Sequence, residues 1–468
     1  MIGATRALSS APRHLRRFGT PPVVSPAVLG LCALLVGLAY PIAAYRVHPL
    51  ALPAAAIMAG LAVVSLSRPE IGVAVAFVLL SLNSGLIGGR PWLPGTAWTV
   101  FLFVAAVTGR TERGDGSSAL GVAALTFGIL GLAGVVVSGD PGDATPVLRS
   151  VFTGLALFYV ISTRVRTREQ VHWVLGGIVA GAALIGGYAT LQYLRGTGSS
   201  VGFITDTGEL VTRVTAGFGQ PNQLAGFLLL VVGLAIGGIL LPAPGRTLYG
   251  AAAAVSLVGI YGSFSRGAQL GLVVLPLVFL GGRRALLLAP VVLLTFVAAA
   301  PDLARERFGT LTQEGGEVAD RVDFWRTAGS LWADNPIFGV GPGGFDEAYA
   351  EARVPGKRFL PDTSFEPPPH AHNLALNLLA EQGVVGFAGF AVVFWLACRD
   401  SVRLRRSPER WIRVLASALV ASLLGFAIHN QFDVTLGEGT GTYFWGVLGL
   451  VAAVRSVPRQ EGSRVFPR

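Results

Sequence analysis

The chain has 468 residues, of which 52% are hydrophobic and only 13% charged, with a mean hydropathy of +0.62 and a net charge of +10. Soluble chains carry about 25% charged residues, so this one lacks the polar surface to clothe several water-soluble domains. Intrinsic disorder is excluded because it needs low hydrophobicity, and the basic excess is not gathered into the stripe that nucleic acid requires. The two cysteines, Cys32 and Cys398, lie in apolar runs with neither metal-ligand spacing nor a disulfide framework. What remains is an all-α polytopic membrane protein.

A helix needs about 20 mainly apolar residues to cross the hydrocarbon. In chain order, apolar cores are predicted at 27–45, 50–66, 71–87, 96–108, 120–137, 147–161 and 171–194. Further cores follow at 224–241, 248–261, 270–280 and 285–300, and then at 384–398, 412–428 and 443–454. This predicts 12–14 transmembrane helices, the short runs 96–108 and 270–280 setting the range. The first run follows a basic stretch as in a signal peptide, but no small-residue cleavage site follows it, so it reads as a retained helix.

Numbering the connections alternately from a cytoplasmic N-terminus gathers most arginines inside and leaves most acidic residues outside, as the positive-inside rule expects. The organisation reads as a basic cytoplasmic N-terminus (1–26), N-terminal helices (27–194) and central helices with outer loops (195–300). A large external loop (301–382), C-terminal helices (383–455) and a cytoplasmic tail (456–468) complete it. The polar stretches 195–223, 301–382 and 429–442 then share the outer face. No internal repeat of the kind found in many transporters is evident.

Within the large loop, residues 318–334 predict a helix with Val318, Val322, Trp325, Leu331 and Trp332 on an apolar face at headgroup level. Arg321, one turn before Trp325, can meet a phosphate there or simply snorkel to water. The following FGVGPGGF places Gly339, Gly341 and Gly344 in a G-x-G-x-x-G pattern. Without a strand–helix context that pattern is not a nucleotide site, and a tight turn against a helix or ligand is the reading it supports.

Pro367–Pro369 then lead into HAHNLALNLLAEQG. His372 and Asn373 fall at the first turn of a helix re-entering the membrane. A neutral imidazole there can take a proton from a sugar hydroxyl. Metal ligation by His370 and His372, for which the spacing offers no third ligand, and a capping or interfacial role stay open. Ser265-Arg266 interrupts an apolar stretch, where a charge marks either function or a turn. Asn222 in GFGQPNQ reads as a cap for the helix beyond it or as a ligand-binding group. His429 and Asp433 end the penultimate span on the same face, as polar partners or as a helix end in water.

Together these segments resemble the O-antigen ligase and polymerase family of bacterial envelope enzymes. The residues that carry the resemblance are GFGQPNQLAG at 217–226, Ser265-Arg266-Gly267, Arg321 four residues before Trp325, NPIFGVGPGGF at 335–345 and HAHNLALNLLAEQGVVG at 370–386. The resemblance implies a polyprenyl-diphosphate-dependent glycosyltransferase that needs no metal or other cofactor, on the outer side of the bacterial inner membrane, with both termini cytoplasmic. Its expected donor is an undecaprenyl-diphosphate-linked glycan and its acceptor a sugar hydroxyl on a glycolipid or glycan, with the lipid bilayer as surroundings and no nucleic acid. It also implies roles: Arg266 and Arg321 hold the diphosphate, His372 activates the acceptor, and His370, Asn373, Asn222 and Trp325 bind substrate. A protein O-oligosaccharyltransferase of the same family and a lipid-linked glycan transporter or flippase are the alternatives.

Overall fold

The computed structural model describes residues 51–82, 92–109, 118–138, 141–204, 210–241, 245–281, 317–352 and 370–458, with a few isolated residues between 284 and 290. Residues 1–72 and 73–468 are separate units. Described in the first are α1 (Ala51–Ser67) and the opening turn of α2 (Pro69–Leu82), where Arg68 meets the buried Glu70 at 3.0 Å.

The second unit continues through α3 (Trp92–Thr108), α4 (Ala119–Ser138), α5 (Pro141–Arg164), α6 (Arg168–Arg195), α7 (Pro221–Leu240) and α8 (Arg246–Gly262). Two short helices, α9 (Arg266–Leu272) and α10 (Val274–Phe279), precede the loop helices α11 (Glu317–Asp334) and α12 (Phe345–Ala352). Three long helices close it: α13 (Leu374–Leu404), α14 (Arg410–His429) and α15 (Glu438–Ser456). Within α4, α5, α6, α7, α13 and α14 lie stretches long and apolar enough to cross a membrane. The protein is thus all-α and polytopic.

Helix ends follow local chemistry. Thr167 and Gln170 form a reciprocal capping box at the start of α6, and Gly196 ends it in the left-handed region at φ 63°. Pro221 opens α7, where a missing N–H costs nothing. The core run at 27–45 lies outside the described residues, as does nearly all of 285–300. The run at 270–280 is α9 and α10, which start at Arg266 and together span about 20 Å. The stretch 195–223 holds a two-stranded antiparallel hairpin, β1 (Ser199–Ile204) and β2 (Leu210–Arg213), that the helical reading missed.

Buried aromatics pack the second unit. Tyr443 of α15 lies 4.9 Å from Phe77 and 4.8 Å from Phe227 between ring centroids. Its hydroxyl donates to the Phe77 carbonyl at 2.6 Å and lies 2.6 Å from the Ser81 hydroxyl, so it is paired within this apolar layer, for about 1 kcal/mol per bond. Phe390, Phe426 and Phe444 stack across α13, α14 and α15. Helices α13 and α14 run antiparallel, because only residues 405–409 join them. His429 therefore returns beside Asn373, and the Leu374 N–H donates to the Asn430 carbonyl at 2.9 Å. At the far end, Asp400 is clamped by Arg399 at 2.8 Å and Arg455 at 2.5 Å.

Candidate active site

The site begins with a broken helix. Gly383 sits inside α13 at φ 62°, ψ −165°, a conformation open to glycine and hostile to other residues. Ile337 and Phe338 press against it so closely that a Cβ would collide with the Ile337 carbonyl. The backbone groups freed by the break are not left bare. Val340 and Gly341 donate to the carbonyls of Ala380 and Glu381, each at 2.9 Å, and Val384 donates to Pro336 at 2.9 Å. Gly339, at φ 69°, makes the reciprocal close approach to α13. The glycine-rich turn is thus a clasp on the helix break, as the tight-turn reading expected. The buried Glu381 carboxyl group completes the clasp by accepting from the Gly343 and Phe345 N–H groups and from Asn377.

The same framework shapes the histidine loop. Asn377 Oδ1 accepts the Ala371 N–H at 3.0 Å, fixing the residue between the two histidines. Asn373 caps α13: its Oδ1 accepts the Leu376 N–H and its Nδ2 donates to the Gln431 carbonyl, both at 3.1 Å. Between these anchors His372 takes φ 50°, a strained value for a non-glycine residue that costs about 1–3 kcal/mol.

Both imidazoles face the buried Asp433. His370 Nε2 lies 3.5 Å from Asp433 Oδ1, and His372 Nδ1 lies 3.7 Å from Oδ2. Both contacts are longer than a normal hydrogen bond. The two rings meet edge-on with centroids 4.4 Å apart. His370 Nδ1 accepts the His372 N–H at 3.3 Å, which assigns its proton to Nε2, toward the carboxylate. Burial holds His370 at a pKa of about 4 against the pull of Asp433, so it is neutral at pH 7. For Asp433, burial works against the charge, but His372, His370 and His429 around it outweigh burial and keep the carboxyl well below the usual carboxylate range.

Helix α11 closes the other side. Phe324 stacks on His372 with ring centroids 5.6 Å apart and an interplanar angle of 24°. Arg321 lies three residues earlier on the same face, and its charge reaches His370, adding to the resistance against protonation. The packed face of α11 carries Phe324, Ala328 and Leu331, set against Phe345, Tyr349, Ala371 and Ala380. Of the apolar face expected from sequence, Leu331 joins this packing, whereas Trp332 is 39% exposed. Trp325 is half-buried, and its indole N–H is buried with no hydrogen-bond partner among the described residues.

Three further segments converge here. His429 Nε2 lies 3.0 Å from the Asn222 carbonyl oxygen. Asn222 is the second residue of α7, not its cap, since Gln220 holds that position; the Asn222 side chain instead accepts from Arg213 at 3.0 Å. The buried Arg213 also donates to the Ser263 carbonyl at 2.7 Å, tying the hairpin to the segment that starts α9. Gly267 packs against His429 and Phe432, which places Arg266 one residue from that contact. Sequence reading missed Arg213 altogether and left Asp433 as one polar partner among several.

Chemically, the arrangement offers a base with one ring nitrogen turned to a carboxylate, and guanidiniums brought in on separate segments. His370, His372 and Asp433 also present ligand atoms within 4.8 Å of one another, a set able to hold a metal ion. The third ligand that the spacing HxH lacked comes from a loop about 60 positions later.

A family model described as O-antigen ligase matches residues 251–391. That stretch is similar to the O-antigen ligase family. Arg266, Arg321, Trp325, His370, His372 and Asn373 fall inside the matched stretch, whereas Arg213, Asn222, His429 and Asp433 lie outside it. No curated protein matches the chain. The match supports a membrane glycosyltransferase-like role in surface polysaccharide synthesis, with a lipid-linked glycan and an acceptor as partners. The apolar helices fit a multi-pass bacterial membrane protein.

Proposed function

We infer that the protein moves a glycan from an undecaprenyl-diphosphate carrier to a sugar hydroxyl on the outer face of the inner membrane, with both termini in the cytoplasm. The observation that carries this reading is the placement of His372, held between Phe324 and Asp433 within a cluster that Arg321's charge reaches.

In the proposed step, Asp433 holds the His372 proton on Nδ1, which leaves Nε2 as the base. The acceptor oxygen attacks the anomeric carbon while its proton passes to Nε2 and the bond to the diphosphate breaks. The carrier diphosphate leaves with the electron pair. Asp433 stabilises the resulting imidazolium, the role of the carboxylate in a serine-hydrolase triad. Arg266 and Arg321 meet the charge that develops on the leaving diphosphate, where preorganised donors contribute most. His370, neutral at pH 7, adds no competing positive charge. The 3.5 and 3.7 Å contacts tighten once substrate excludes water.

The test uses the full chain in lipid nanodiscs with a polyprenyl-diphosphate oligosaccharide and candidate acceptors. Product should form with the wild type and fall at least about 10²-fold in His372→Ala. Carrier-linked glycan that crosses the bilayer without being consumed would make the protein a flippase, and transfer onto a peptide serine would make it a protein glycosyltransferase.

A further inference from the structure

The base and the carboxylate paired in the proposed step come from different connections of the chain. His372 stands just before α13, whose cap is Asn373, and Asp433 lies beyond Asn430, the residue that ends α14. Asn430 is bonded to both connections. Its carbonyl, an acceptor that a helix end leaves open, takes the Leu374 N–H at 2.9 Å, a donor that a helix start leaves open.

The Asn430 side chain closes the loop that carries Asp433. Its Oδ1 accepts the Thr435 N–H at 2.8 Å, and its Nδ2 donates to the Phe426 carbonyl at 2.9 Å. These partners decide which way round the amide stands, because a main-chain N–H can only donate and a carbonyl can only accept. The Thr435 hydroxyl doubles the link, accepting from Nδ2 at 2.9 Å and donating to Oδ1 at 3.1 Å. Asn430, Asp433 and Thr435 are each at most 2% exposed, so bulk water does not compete for these bonds. Inside the closed loop Asp433 Oδ1 accepts the Val434 N–H at 2.7 Å, while Oδ2 is the oxygen nearer His372.

We propose that Asn430 is a positioning residue of the transfer reaction, a shared anchor that sets the gap between the Asp433 carboxylate and the His372 base. The proposal rests on the reading of His372 as that base. Asn430 acts without touching the reacting atoms: its carbonyl holds the histidine side of the gap and its amide the carboxylate side. A displacement of about 1 Å in a catalytic group can cost about 10²-fold in rate, and one residue here governs both edges of a 3.7 Å contact.

The full-length protein in nanodiscs tests this with isosteric changes. Asn430→Asp keeps the acceptor for Thr435 but turns a second oxygen toward the Phe426 carbonyl. It should lower kcat by about 10- to 100-fold, with KM within about threefold. Thr435→Val keeps the methyl that faces Gly226 and loses the hydroxyl, whereas Thr435→Ser keeps the hydroxyl and loses the methyl. A positioning role makes the valine variant the slower of the two; a packing role makes it the serine variant. Unchanged kcat in Asn430→Asp, or a serine variant slower than the valine one, overturns the proposal.

A spectroscopic readout separates the anchor from the transferase reading. Nitrogen-15 spectra of histidine-labelled protein report which ring nitrogen of His372 holds the proton, its signals being those missing in His372→Gln. The wild type should show the proton on Nδ1, and Asn430→Asp should show it shared with or moved to Nε2. If Asn430→Asp does not fold, Thr435→Val carries the same measurement. The expected proton shift in a protein whose wild type transfers no glycan would retain the anchor and sink the transferase reading. Wild-type transfer with an unmoved proton in the variant would sink the anchor alone.

Discussion

The two ends of the α13–α14 pair each bury an aspartate, and the difference between them separates structure from chemistry. Asp400 sits among guanidiniums, with Arg399 and Arg455 at hydrogen-bond distance. Those charges never leave, so the carboxylate is neutralised for good and ties α13 to α15. Asp433 sits among imidazoles at 3.5 and 3.7 Å. Its partners are imidazoles, side chains able to carry a proton in a reaction, and the contacts have slack to tighten. A buried carboxylate with permanent partners braces a fold, whereas one with titratable partners can serve a reaction.

Substitution sharpens the contrast. The largest effect is expected from His372→Ala, a fall of about 10²–10⁴ in kcat with protein level retained. Asp433→Asn should come close behind, because the amide no longer fixes the proton on His372 Nδ1; turnover by the purified protein measures both. Asp400→Asn should do the opposite. Turnover of the folded protein stays within about twofold, while stability falls by about 1–3 kcal/mol, less than for a fully buried pair because Arg455 is half exposed. If Asp400→Asn abolished turnover in folded protein, or Asp433→Asn spared it, the division between the two ends would be lost.

Gly383→Ala should cost about 3 kcal/mol from strain and collision with Ile337, read as a lower melting temperature in detergent. A pH effect comes next. His370 binds its proton far more weakly when folded, with a pKa of about 4, than when unfolded, near 6.5. Between those values the unfolded chain holds more protons. Stability present above pH 6.5 therefore drains away as pH falls toward 4, by up to about 3 kcal/mol. His370→Asn should flatten that slope in a thermal-melt series. The smallest effect is expected from chelation: EDTA should leave turnover unchanged if the His370–His372–Asp433 cluster handles a proton. Loss of turnover restored by one divalent ion would reassign the cluster to metal binding.

Much of this was readable in the sequence because the signals are local. The loop helix foreseen at 318–334 is Glu317–Asp334, and the core foreseen from 384 starts one residue past the break in α13. Hydropathy could not find the break itself. The arm from Leu374 to Gln382 is as helical as the arm beyond it, and Gly383 looks like any glycine in an apolar run. The packed face of α11 was not foreseen, because two tryptophans dominate the pattern, while packing is decided by Phe324, Ala328 and Leu331 meeting the histidine loop. Asp433 and Arg213 were not resolved as site residues because their partners lie far away in the chain. Only the return of α14 beside α13, and the hairpin's reach to Ser263 and Asn222, bring them in.

The bonds between residues 336–341 and 380–385 have a consequence for how substrates arrive. Swinging the glycine-rich turn aside would strip Ala380, Glu381 and Val384 of their partners in apolar surroundings, at several kcal/mol. That segment is a fixed wall and not a gate. On the proposed function, donor and acceptor therefore reach the histidines from a side other than this one.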